Sequence, residues 1–155
     1  MELPPTTLRV PEHTPAELNE RLWRETERRI WYYAWHTDKI GERLVELDNE
    51  WDMERALEAN ASTIGLLGLT LTALGGRRFL PVPVAVMGFL LQHALQGWCP
   101  PVRLFRRLGL RTQTEIEAER YALKALRGDF RGLGEAASAE AEGQPAQKAA
   151  EAVRD

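Results

Sequence analysis

The sequence predicts an all-α membrane protein: a two-helix transmembrane hairpin flanked by cytoplasmic amphipathic helices. Three observations carry this reading. Residues 59–76 and 79–99 contain no charged side chain, and only Arg77–Arg78 separates them. At 1.5 Å per residue, such runs are roughly 27–32 Å long as helices, about the thickness of a bilayer core. On either side the chain is polar, with apolar residues at helical spacing and capping signals at the helix starts.

Residues 1–13 hold Pro4, Pro5 and Pro11 and no periodicity, which reads as an extended arm. No basic stretch followed by an apolar run opens the chain, so no cleaved signal peptide is expected. Thr14-Pro15-Ala16-Glu17 offers a capping box, with Thr as N-cap, Pro at the first helical position and Glu at the third. An N-terminal amphipathic region, 14–58, follows. Glu17/Arg21, Glu20/Arg24 and Glu25/Arg29 pair at i, i+4, and Ile40, Leu44, Leu47 and Trp51 form one apolar stripe. Gly41 and the cluster Trp31, Tyr32, Tyr33 and Trp35 leave open whether this is one helix or two split near 36–41. The aromatics read as core packed on other helices of the chain, with an interface belt or a docking surface as the competing roles. His36 has no Cys or second His at ligand spacing. Glu46, Asp48, Glu50, Asp52, Glu54 and Glu58 alternate, so on a helix they diverge and read as a solvated surface rather than a cation site.

Transmembrane helix 1 (59–76) is rich in small residues. Ala61 and Gly65 are four apart, as are Gly68, Thr72 and Gly76, a spacing that lets helix backbones approach closely in lipid. The close partner is either the second helix of the same hairpin or another copy. Transmembrane helix 2 (79–99) starts near Leu80-Pro81-Val82-Pro83, where prolines remove no helical hydrogen bond. Gln92, His93 and Gln96 are polar groups inside it, which in lipid face protein or water. Pro100–Pro101 are expected to stop the helix. In 100–111, Arg103, Arg106, Arg107 and Arg111 alternate with leucines and a phenylalanine, an interfacial basic segment lying at the headgroups. Thr112-Gln-Thr-Glu115 is a second capping box, opening a cytoplasmic helix over 112–128 with Gly128 as its stop. The Ala/Glu/Gly/Gln-rich stretch 129–155 reads as a disordered tail.

Arginines set the orientation. The tip has Arg77 and Arg78; the open end has Arg43, Arg55, Arg103, Arg106, Arg107 and Arg111. By the positive-inside rule both termini face the cytoplasm and the protein sits in a bacterial inner membrane. A soluble bundle with two fully buried helices is the competing fold.

The net charge of −3 argues against nucleic-acid binding, and a single cysteine allows no internal disulfide and no cysteine metal site. No Walker loop, Gly-x-Ser-x-Gly or HExxH motif is present, so no enzymatic activity, metal or cofactor is expected.

Trp51-Asp-Met-Glu-Arg55, Asn60, a Gly-rich apolar helix, a second apolar helix, Gly97-Trp98-Cys99-Pro100 and Leu108-Gly109-Leu110-Arg111-Thr112 together resemble the YgaP-like transmembrane domain family of small bacterial inner-membrane proteins. The resemblance covers about 51–112. It implies a two-helix hairpin that dimerises, in some members joined to a rhodanese, a sulfurtransferase that carries sulfur on a catalytic cysteine. Two features depart from the pattern. The segment between Cys99-Pro100 and Leu108-Gly109 is about three residues longer and lacks a Tyr soon after the Cys-Pro. The chain also has neither a rhodanese domain nor a second cysteine.

Three functions follow as expectations. The first is a non-enzymatic, self-associating hairpin in the lipid bilayer that presents cytoplasmic helices to an unidentified protein partner. The second is sulfur or redox chemistry at Cys99 beside a sulfurtransferase: nearby arginines favour its thiolate, the helix C-terminus disfavours it, and an interfacial packing residue is the plainer role. The third is passage of a small anion through an oligomer lined by Gln92, His93 and Gln96, for which interhelical hydrogen bonding is the plainer role.

Overall fold

A computed structural model of the chain describes residues 6–131. Every regular element among the described residues is helical: α1 (Thr6–Glu12), α2 (Ala16–Trp35), α3 (Ile40–Asn49), α4 (Met53–Gly75), α5 (Pro81–Gln96), α6 (Pro100–Arg107) and α7 (Gln113–Arg127). Two helices are long and apolar enough to cross a membrane.

The helix starts and stops have local causes. α2 and α3 are separate, joined through a 3-10 turn at Thr37–Lys39. At the break, the His36 ring stacks on Tyr32 and its Nδ1 lies 2.8 Å from the Tyr32 carbonyl. α4 opens at Asp52, whose carboxylate accepts from the Arg55 N–H at 2.7 Å. The N-terminal region therefore ends at Asn49, and Met53–Glu58 are the first turns of α4, not the end of a helix over 14–58. Thr112 caps α7 with the expected box: Glu115 N–H donates to its hydroxyl and the Thr112 N–H donates to the Glu115 carboxylate.

Four local expectations are corrected. Residues 6–12, assigned to an extended arm, form α1. Tertiary contacts make that helix, since a seven-residue segment has no helical stability of its own. Val10 is buried with Met53, Leu57, Cys99 and Val102, and Arg9 donates to the Ala94 and Leu95 carbonyls at the end of α5. Thr14 does not cap α2. Its hydroxyl donates to the Val10 carbonyl at 2.8 Å, and Pro15 holds the N-cap position with no side-chain bond. Pro100–Pro101 do not end the second apolar helix. Gly97 ends it in the left-handed region at φ 71°, and the two prolines open α6. A Cβ on Gly97 would also sit 2.4 Å from Arg9 Cβ, so the chain needs glycine there for space as well as for dihedral. At the other end, residues 129–131, placed in the tail, belong to a turn: Asp129 accepts from Arg127, and the Phe130 and Tyr121 rings approach to 6.5 Å. Residues 132–155 and 1–5 lie outside the described residues.

α4 and α5 pack against each other in opposite directions. Gly75 lies against Phe79, Gly68 against Val82 and Pro83, and Gly65 against Met87, so partners run down one helix and up the next. Gly76, at φ 94°, starts the turn between them. The polar helices form a separate packed unit at the open end. Ile40, Leu44 and Leu47 of α3 and Ile116 and Leu123 of α7 make its core, with Tyr33 of α2 against it. The Met53 N–H donates to the Arg111 carbonyl at 2.9 Å, tying the foot of α4 to the lead-in of α7.

Candidate functional site

Three features compete as the site: the buried thiol, the apolar helix pair and the charged centre of the polar unit.

Cys99 lies three residues beyond the end of α5 and is only 2% exposed, packed with Val10, Met53, Leu57 and Val102. Burial pushes its thiol above the ordinary range. The arginines expected to favour the thiolate do not serve it. Arg106 and Arg111 are engaged with glutamates, while Arg103 and Arg107 point outward. The place expected at a wet interface is therefore a dry one. Native Cys99 should label with maleimide more slowly than an exposed thiol and recover the ordinary rate on denaturation; fast labelling of the folded protein would restore a case for a reactive thiolate. Among the described residues, no group of three His, Cys, Asp or Glu side chains is placed to hold a metal ion.

Of the small residues on α4, Gly65 and Gly68 are buried against α5 and Ala61 is half-buried. Thr72 spends its hydroxyl on the Gly68 carbonyl at 2.7 Å. The stripe is thus occupied within the chain. Gly76 belongs to the tip turn instead. The three polar residues of α5 do not share a face. His93 is buried, and neither ring nitrogen has a hydrogen-bond partner among the described residues. Gln92 is half-buried and Gln96 exposed, four residues apart on another side of the helix.

The apolar surface of the pair is largely uncovered. The apolar windows of the two candidate spans are only 22% and 11% buried. Leu66, Leu67, Leu69 and Leu74 on α4 and Val84, Leu91 and Leu95 on α5 all face outward. A core helix of a soluble bundle would have these covered.

The basic segment divides in two. Arg103 and Arg107 are exposed, as expected of headgroup contacts. Arg106 and Arg111 are not interfacial: they are 0% and 3% exposed. Arg106 makes a two-pronged pair with Glu115 at 2.6 and 2.8 Å and donates to Asn19 Oδ1 at 2.7 Å, joining α6 to α7 and α2. Arg111 does the same for Glu50 at 2.7 and 2.8 Å. Arg111 also donates to Glu119, whose side chain is completely buried. Arg29 and Arg43 reach the same carboxylate at 3.0 and 2.9 Å. Thr26 accepts from both Arg29 and Arg111, and Glu46 pairs with Arg43. Three arginines and three glutamates thus meet between α2, α3 and α7, and the cluster is neutral overall. Burial alone would raise the Glu119 carboxyl, but the Arg43 hydrogen bond and the charges of Arg111 and Arg29 outweigh it and hold it below the ordinary range. The desolvation of these charges offsets much of their attraction, so the cluster ties the three helices together without a large net gain in stability.

The acidic stretch, read as a solvated surface, is therefore partly structural. Glu46 and Glu50 join the cluster, Asp48 pairs with Arg120, and Asp52 caps α4. Asp52 and Glu46 act locally, but no local signal brings Glu50 to Arg111 or Asp48 to Arg120, 61 and 72 residues away.

The aromatic cluster also divides. Tyr33 packs on the core, as the packing reading has it. Trp31 and Trp35 are 69% and 81% exposed, and Trp23 and Tyr32 are exposed beside them. With Arg24, Arg28, Glu20 and Glu27 on the same outer face of α2, where Arg24 pairs with Glu20, they make an uncovered surface of tryptophans among charged side chains. Tryptophan and arginine are enriched at the energetic centres of protein–protein contacts.

No family model matches the chain, and neither a curated protein nor a solved structure is significantly similar to it.

Proposed function

We propose that the protein is a non-enzymatic inner-membrane scaffold: α4 and α5 insert as a transmembrane hairpin, and the polar helices form a cytoplasmic unit that docks a protein partner. The observation that carries this is the outward apolar surface of α4 and α5 beside a polar unit with its own packed core. Water would penalise that surface at about 25 cal/mol per Å², whereas lipid would not. The arginine asymmetry supports cytoplasmic termini, because the rule counts residues rather than their later pairing. The resemblance to the YgaP-like transmembrane domain family, resting on 51–112, agrees with the hairpin.

Self-association uses α5 rather than the glycine stripe of α4, which is already filled. Ala85, Gly88, Gln92 and Gln96 lie on one face, and a Cβ on Gly88 would meet nothing within 4 Å. Lipid is a poor neighbour for Gln92, and a second copy of α5 satisfies it. The partner surface is the tryptophan face of α2. Sulfur chemistry at Cys99 is the weaker reading, given the burial of the thiol.

The protein should stay in the membrane pellet through carbonate extraction, and a periplasm-active reporter fused at Asp155 should remain silent. Release by carbonate would end the membrane reading. An active reporter would leave the hairpin and invert it.

A further inference from the structure

We propose that the outer face of α6 binds the headgroups of anionic phospholipids in the cytoplasmic leaflet. This rests on the membrane reading above and adds a lipid class to it.

The rotation of α6 is fixed from the inside. Val102 and Arg106 are both fully buried, the first in the apolar cluster with Cys99, the second on Glu115 and Asn19. On an eight-residue helix that leaves Arg103, Leu104 and Arg107 facing out, with Leu108 just past its end. Leu104 and Leu108 are 56% and 68% exposed. The two arginines stand one turn apart, and neither side chain has an acid partner among the described residues. Two of the four arginines in this segment have been taken inward by glutamates, so the outward pair is what remains to meet an anion.

Two further facts select a lipid over a soluble anion or an acidic protein. The leucines share the arginine face, which suits a surface that is charged above and apolar below. α6 also begins only four residues after α5 ends, so it lies at the level where the apolar helices stop. There an apolar groove of about 280 Å³, lined by Leu57, Ile64, Phe89, Leu90 and Pro101 among others, runs between α4, α5 and the start of α6, and it offers an acyl chain a place at the same end of the apolar pair. Trp51 stands at the foot of α4 over the Arg55 guanidinium at 5.1 Å, the kind of residue found at that depth.

The test uses the full chain released from nanodiscs holding phosphatidylglycerol and phosphatidylcholine in equal amounts, with retained lipid counted by native mass spectrometry. Two arginines at a membrane surface are worth about a 20–30-fold preference for the anionic lipid. R103Q/R107Q should lose most of it, and R77Q/R78Q at the tip should keep it. Equal retention of both lipids by the wild type, or a preference unchanged in R103Q/R107Q, would overturn the inference while carbonate resistance of the same samples leaves the membrane reading standing. Loss of the preference in the tip variant would place the lipid at the other leaflet and overturn it too. Loss of crosslinked dimers in R103Q/R107Q with lipid preference intact would give this face to a second copy. Extraction of the wild type by carbonate would remove both readings together.

Discussion

Glu119→Gln should destabilise the polar helical unit by about 3–5 kcal/mol, the cost of leaving buried charge without its counter-charge. The substitution keeps the size of the side chain and removes only the carboxylate that Arg29, Arg43 and Arg111 share. Against a total stability of about 5–15 kcal/mol, that is enough to open α7 from α2 and α3 for much of the time. Denaturant titration followed by tryptophan fluorescence would measure it, and proteolysis at the α7 lead-in would localise it. Glu46→Gln is the matched control: Glu46 pairs with Arg43 from an exposed position, and its loss should cost no more than about 1 kcal/mol. A loss in Glu119→Gln as small as in the control would mean that the cluster is a bystander. The same carboxylate sets a pH dependence. Its folded value lies below its ordinary 4.5, so its contribution is complete above pH 4.5 and is lost as pH falls through the lowered folded value. Stability attributable to Glu119 should therefore be flat from neutral pH to about 4.5 and fall only in stronger acid.

Gly68→Leu should separate α4 from α5. A Cβ at this position would lie 2.8 Å from Pro83 Cδ and 3.3 Å from the Pro83 backbone nitrogen, and proline has no freedom to yield. The cost is at the upper end for overpacking, about 3 kcal/mol, and it falls on contacts within one chain. Gly88→Leu makes the opposite separation. It fills open space, so the pair of helices should keep its thermal stability in detergent while crosslinked dimers disappear. If Gly68→Leu left stability unchanged and abolished dimers instead, the glycine stripe would belong to a second copy.

The apolar helices and α7 are legible in the sequence because their signals are local: uninterrupted apolar runs, a Thr-x-x-Glu box, a terminal glycine. The boundaries differ where a stronger local signal stands nearby. Gly97 ends α5 before the prolines are reached, and Asp52 caps α4 seven residues ahead of the uncharged run. The charged cluster is different in kind. Arg111 reads as one of four headgroup arginines until Glu50 and Glu119 are brought to it from 61 residues before and eight after. The same is true of α1, whose three-proline neighbourhood holds no periodicity and whose helix exists because Arg9 and Val10 have a seat. The tryptophans mislead for a third reason: i, i+4 aromatics usually mark a core, and only the tertiary arrangement shows that Leu22, Thr26 and Tyr33 supply the inward face of α2 instead.

The seat of α1 also orders events during synthesis. Arg9 leaves the ribosome more than 80 residues ahead of Ala94 and Leu95, whose carbonyls it serves, and the space its Cβ needs exists only because residue 97 is glycine. A loop of more than 80 residues must close before the contact forms, with both apolar helices inside that loop. α1 is thus made before both apolar helices, yet it closes the base of the pair only after they have been laid down.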